Sequence, residues 1–148
     1  MNMRQIKFRG KSLKNKKWVY GDLMRNICAT RIVRYKETDN ESVQHADWDY
    51  IEVDDSTVGQ FTGLTDCNGR EIYEGDIFTV NGNYPKLVEY RENRVAFCIA
   101  NVDELDKEWI YPWQQPAPDW WCDFSREIVV IGNKFDNPDL IPNQPTEV

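Results

Sequence analysis

Histidine is almost missing from this chain. His45 is the one imidazole in 148 residues, and it stands in a polar run. A lone histidine in such a run is ordinarily solvated, so the usual base for activating a nucleophile is scarce. Cysteine is also sparse. Cys28, Cys67, Cys98 and Cys122 are widely spaced, with no Cys-x-x-Cys pair. That spacing excludes a zinc finger or ribbon and points to free thiols in a reducing compartment. No apolar run approaches the roughly 18 residues of a membrane-spanning helix. The opening "MNMRQIKFRGKSLKNKK" has no apolar core of a signal peptide, so a cytoplasmic protein is expected.

Apolar residues are plentiful: 41% of the chain is hydrophobic and 13% aromatic, which excludes a disordered or low-complexity protein. The length suits one domain, or one domain with a small subdomain, and allows a real core. Net charge is −7 and the pI is about 4.7. The charge is unevenly spread. Met1 to Arg34 holds ten Lys or Arg against one acid, Asp22. This segment reads either as a solvated charged face or as a patch for a polyanion or acidic partner. The two halves, opposite in charge, could also attract across an oligomer interface.

Periodicity is that of short strands. "RQIKFRG", "KWVYGDLM", "ATRIVRY", "STVGQFTGL", "REIYEGDIFTV", "KLVEYRE", "RVAFCIA" and "REIVVIGN" alternate or run apolar, with turn residues between them. The polar stretch from Tyr35 to Tyr50 reads as a mobile loop. "DNPDLI" places Asn137 and Pro138 at the start of a short helical turn. Many short strands with regular turns imply a small barrel or sandwich. "KWVYGDLM" and "EIYEGDIF" are alike, each Gly-Asp reading as a bend or bulge at a strand start.

"TDCNGREIYEGDIF" is the densest cluster of oxygen-bearing side chains. As an EF-hand loop it fails, because Gly69 comes too early and Arg70 stands where an oxygen ligand is needed. As an acid–base pair, Glu74 and Asp76 share a strand face, but spacing alone supplies no shared pocket. The turn reading is stronger. Asn68-Gly69 is expected to form a type I′ hairpin turn, and Gly75-Asp76 a bend or bulge.

The run "VGQFTGLTDCNGREIYEGDIF", with "IKFRGKSLKNKKWVYGDL" before it and "VVIGNKFDNPDLI" after it, resembles the YopX family of phage and prophage proteins. The resemblance spans nearly the whole chain in order. It implies an SH3-like barrel in the second half, starting near residues 72–80, and an origin in an infected bacterium. It implies no catalytic residue. The Tyr35–Tyr50 and Trp109–Phe124 stretches depart from the family pattern.

The expected fold is therefore mainly β. An N-terminal β segment with the mobile polar loop (1–60) packs with an SH3-like barrel (61–141), followed by a tail (142–148) and a minor helix. No enzyme activity, cofactor or metal is expected. Two surfaces are candidates for binding. Trp109, Tyr111, Trp113, Trp120 and Trp121 crowd a proline-rich stretch that forms either a lid on the core or a recognition platform for a protein partner. Lys7, Arg9, Lys11, Lys14, Lys16 and Lys17 interleave with Phe8, Trp18 and Tyr20, an arrangement suited to single-stranded nucleic acid. A host or phage protein, a second copy of the chain and nucleic acid are the partners considered; a membrane is not.

Overall fold

The computed structural model describes residues 3–35 and 48–142. The chain is mainly β and divides into two compact units, Met1–Phe61 and Thr62–Val148.

In the first unit, β1 (Phe8–Lys11), β2 (Trp18–Arg25), β3 (Thr30–Tyr35), β4 (Trp48–Glu52) and the start of β5 (Gly59–Thr65) form an antiparallel sheet in the order β4-β3-β2-β1-β5. Leu23, Ile32 and Ile51 line up across three strands on the inner face. They pack with Val19, Val53, Phe8 and Val58 to form this unit's core. A single bridge from Ser12 to Val53 draws the end of β1 towards the residue after β4, so the sheet curls. Strand β2 pairs with β1 up to Gly21 and with β3 from Asp22 onward. A Cβ at Gly21 would sit 2.3 Å from the Val33 carbonyl oxygen, so only glycine permits this exchange of partners. The bend expected at Gly21-Asp22 is thus a continuous strand.

Strand β4 corrects the loop expected from Tyr35 to Tyr50. Trp48 and Tyr50 are exposed and Ile51 points inward. The polar sequence before Trp48 hid a strand whose aromatic residues face outward. Residues 36–47, with His45, lie outside the described residues, as do 143–148 of the expected tail.

In the second unit, the rest of β5 pairs with β6 (Glu71–Tyr73). Then β7 (Asp76–Val80), β8 (Asn83–Arg91), β9 (Ala96–Asn101), β10 (Trp113–Gln114) and β11 (Ile128–Asn133) form a second antiparallel sheet, ordered β10-β9-β8-β7-β11. Strands β10 and β11 stand at opposite ends, so among the described residues the ladder is not closed into a barrel. Both faces are buried. Ile77, Leu87, Cys98 and Ala100 pack with Val102, Trp113 and Ile141 on one side. Phe78, Val88, Ile99 and Val130 pack with Ile72, Leu64, Trp120 and Trp121 on the other. This double burial explains why β7 and β9 read as apolar runs and not as alternation.

Helix among the described residues is limited to 3-10 turns of three residues, including Pro138–Leu140 where the helical turn was expected. Asn137 does not cap it; its Oδ1 accepts the Asn133 N–H at 3.1 Å. The β7–β8 connection is Asn81-Gly82, with φ of 53° and 77°. Both residues are left-handed, as a two-residue type I′ hairpin requires. Just beyond it, β8 carries an extra residue: Val80 faces Asn83 but Phe78 faces Lys86. Tyr84 takes up this bulge at φ 54°, ahead of Pro85, which has no N–H to offer a ladder.

The proline-rich stretch crosses from one face of the second sheet to the other, with Trp113 against one and Trp120 and Trp121 against the other. Replacing Trp113 with Ala should therefore cost about 3–5 kcal/mol in urea unfolding. The same change at Trp109, which is 81% exposed, should stay within about 0.5 kcal/mol. Equal effects at the two positions would contradict this division.

Candidate functional site

The acidic block is built around Asp66. Its Oδ1 accepts the backbone N–H groups of Asn68 and Arg70, at 2.9 and 2.8 Å. Its Oδ2 accepts the N–H of Val130 on β11 at 3.0 Å. The main chain repeats the link: Gly69 N–H donates to the Asp66 carbonyl, and Cys67 N–H to that of Ile128. Only Gly69 has a positive φ here, 79°. The turn is therefore type I with a following left-handed glycine, not the type I′ expected from Asn-Gly. The carboxylate two residues before Asn68 holds that residue's N–H in an Asx turn and selects the other geometry.

Glu74 and Asp76 each hold a different backbone N–H. Glu74 lies in the β6–β7 turn, and its Oε1 accepts the Tyr90 N–H at 3.2 Å. Asp76 is fully buried, and its Oδ2 accepts the Tyr73 N–H at 2.8 Å. Between them, Gly75 (φ 86°) donates to the Val88 carbonyl and accepts from Lys134 N–H. A Cβ there would meet Phe135 at 3.1 Å. Gly75-Asp76 is thus a tight turn locked to both neighbouring strands. At the other end of the motif, Asn133 Oδ1 accepts the N–H groups of Phe135 and Asp136. Asp66, Gly75, Asp76, Asn133 and Asn137 all serve as brackets for backbone.

A cavity of about 520 Å³ beside the Asp66 turn is lined by Cys67, Cys122, Phe124 and Arg126, among others. Desolvation pushes the Cys67 thiol up, reinforced by the negative charges of Glu127 and Asp66. That is the reverse of what activates a thiol nucleophile. All four cysteines are free. Among the described residues, no group of three or more His, Cys, Asp or Glu is arranged for a metal ion. Among the same residues, no helix is long and apolar enough to cross a membrane.

The aromatic stretch separates into two sets. Trp113 is buried, while Trp120 and Trp121 pack on Phe78 at 6.4 and 5.7 Å. Trp109 and Tyr111 are exposed. The Tyr111 hydroxyl accepts from Asn93 Nδ2 at 2.9 Å and donates to Asn93 Oδ1 at 3.3 Å. Arg94 lies 5.4 Å over its ring. The Asn93 hydrogen bond, helped by Arg94 and Arg91, holds the phenol below its usual pKa.

The basic segment also separates. Arg9 is buried, 3% exposed, with its guanidinium 4.4 Å over Trp18, and so presents no charge to a phosphate. Lys11 is half-buried against the same ring, and Lys7 over Phe61. Lys14, Lys16 and Lys17 are exposed on the β1–β2 turn.

A further surface was invisible without β4. On the outer face of the first sheet, Asp22, Val33 and Tyr50 form one cross-strand row, and Met24, Arg31 and Glu52 the next. Tyr35 and Trp48 form a third, their rings edge-on at 5.6 Å. Tyr20, Met24, Tyr35, Trp48 and Tyr50 are all exposed. The sequence signal was the alternation Trp48-Asp49-Tyr50-Ile51.

These features define a protein of two small antiparallel β units whose motif residues shape main chain. The chain belongs to the YopX protein family, whose profile matches residues 7–142. A similar fold occurs in the crystal structure of protein EF1440 from Enterococcus faecalis, at TM-score 0.55 and 19% identity, covering 94% of this chain and 99% of that one. No curated protein matches the chain.

Asp66→Ala should lower stability by about 2–4 kcal/mol, because Val130 N–H is left buried without an acceptor. Asp66→Asn, which keeps one acceptor oxygen, should lose roughly half as much. A loss under about 1 kcal/mol in Asp66→Ala, measured by urea denaturation, would show that the carboxylate does not tie the turn to β11.

Proposed function

We propose that this YopX protein is a phage- or prophage-encoded accessory protein that works as a non-catalytic protein-interaction module. The observation that carries this reading is the outer face of β2, β3 and β4. Five large side chains, Tyr20, Met24, Tyr35, Trp48 and Tyr50, are exposed there on adjoining strands. Tyr, Trp and Met are the residue types enriched at protein contacts, where they bury much area at low entropic cost. The charges among them, Asp22, Arg31 and Glu52, include both signs. A mixed face favours a protein over a uniform polyanion.

The acidic block adds to this reading from the other side. Its carboxylates accept backbone N–H groups, at Asp66, Glu74 and Asp76. What distinguishes the module is surface, with Trp109 and Tyr111 as further exposed aromatics on the second unit.

A second reading has its own support. Lys14, Lys16 and Lys17 are exposed at the end of β1, and Lys11 lies 5.5 Å from the Trp18 ring. Cations beside aromatics suit a nucleic-acid strand, with binding that falls steeply as salt rises.

The two readings separate in one experiment. Tagged protein is recovered from bacterial lysate, with and without nuclease, alongside the double variant Trp48→Ala, Tyr50→Ala. The protein partners should survive nuclease and be lost from the variant, while its unfolding midpoint moves little. Recovery that nuclease or high salt abolishes, and that the variant leaves intact, would transfer the function to the lysine turn.

A further inference from the structure

The bulge in β8 lies at the edge of a cleft of about 360 Å³. Its apolar walls are Tyr84, Pro85, Val102, Leu140 and Pro142. Asn101 and Asp103 supply the polar positions. The volume is that of a small ligand or a few residues of peptide.

Tyr84 makes this cleft unusual. Its φ of 54° is a conformation that costs an L-residue energy, and glycine or asparagine is the usual occupant. The residue before a proline is further biased towards extended backbone. Yet the ring gains little from burial, being 74% exposed. Fold stability alone would favour glycine here. An unfavourable backbone carrying an exposed aromatic ring at a cleft is the pattern of strain kept for a contact.

The charge around the cleft has one dominant sign. Asp103 lines it, Glu104 follows, and Asp139 precedes Leu140. The neighbouring cation, Lys86, is tied to Asn101 Oδ1. Burial lowers its pKa, while Glu104 and Asp103 oppose that shift.

We propose that this cleft binds an extended, proline-containing peptide segment that carries a lysine or arginine beside the proline. Proline rings stack well on aromatic and proline walls, and a polyproline II strand docks at low entropic cost because it is already stiff. The adjoining cation meets Asp103 and its acidic neighbours. The site uses residues different from the outer sheet face, so either reading can fail while the other holds.

The test uses the full chain and a short oligoproline peptide ending in arginine, titrated by NMR. The expected result is saturable binding that shifts the Tyr84 and Leu140 signals, with a matched peptide ending in glutamate binding at least about tenfold more weakly. Tyr84→Gly removes the ring where glycine suits the backbone. It should weaken binding by about tenfold or more while the unfolding midpoint stays level or rises. Leu140→Ala should also weaken binding. The proposal is overturned if the arginine peptide causes no shift, if the glutamate peptide binds equally well, or if Tyr84→Gly binds like the parent.

Discussion

The second unit is held together by a carboxylate turned towards its own main chain. Asp66 gives one oxygen to the turn that follows it and the other to β11, a strand 64 residues away in sequence. A carboxyl group suits this place because its two oxygens can face the turn and β11 at once, which a single hydroxyl oxygen could not. The rest of the motif repeats the principle at smaller scale. Asp76 closes the β6–β7 turn, and Asn133 and Asn137 close the segment after β11. Oxygen-rich sequence and tight glycines therefore mark where the chain must reverse direction next to another strand.

The acidic block is occupied in this way, and the exposed aromatic residues lie outside it. The aromatic residues are divided by depth. Trp113, Trp120 and Trp121 fill the two faces of the second sheet, leaving Trp109 and Tyr111 outside. The first unit reverses the pattern: its buried side chains are mainly aliphatic, with Phe8 and Phe61 as the aromatic exceptions, and most of its large rings stand on the outer face. A small sheet can spare its aromatic residues from the core when Val, Leu and Ile suffice to fill it.

Much of this was legible in sequence. Among the strands from β5 onward, β5, β8, β9 and β11 followed period and turn signals, whereas β6 and β7 read as one run and β10 was hidden in the proline-rich stretch. What was not legible depended on distant partners. Asn68-Gly69 and Asn81-Gly82 are the same dipeptide, yet only the second forms the type I′ turn. The carboxylate of Asp66 decides between them, and its third donor lies on β11. Strand β4 was missed because its aromatic residues face outward behind a polar run. Arg9 was read as a surface cation because charge gives no sign of depth; its stacking on Trp18 needs the β1–β2 register. The outer face, assembled from three strands, left only the short alternation Trp48-Asp49-Tyr50-Ile51 as its linear trace.

The placement of β11 has a kinetic side. The β7–β8 and β8–β9 hairpins close over a few residues, which is fast. Strand β11 must return across the whole sheet to pair with β7 and accept the Asp66 bracket. Loop closure over such a distance is slow, and topologies rich in such pairings fold slowly. Until β11 arrives, one edge of β7 is unpaired and Phe78 and Val88 lack part of their cover. A chain in which β11 docks last would leave this hydrophobic sheet edge open until that closure, the arrangement that invites edge-to-edge aggregation.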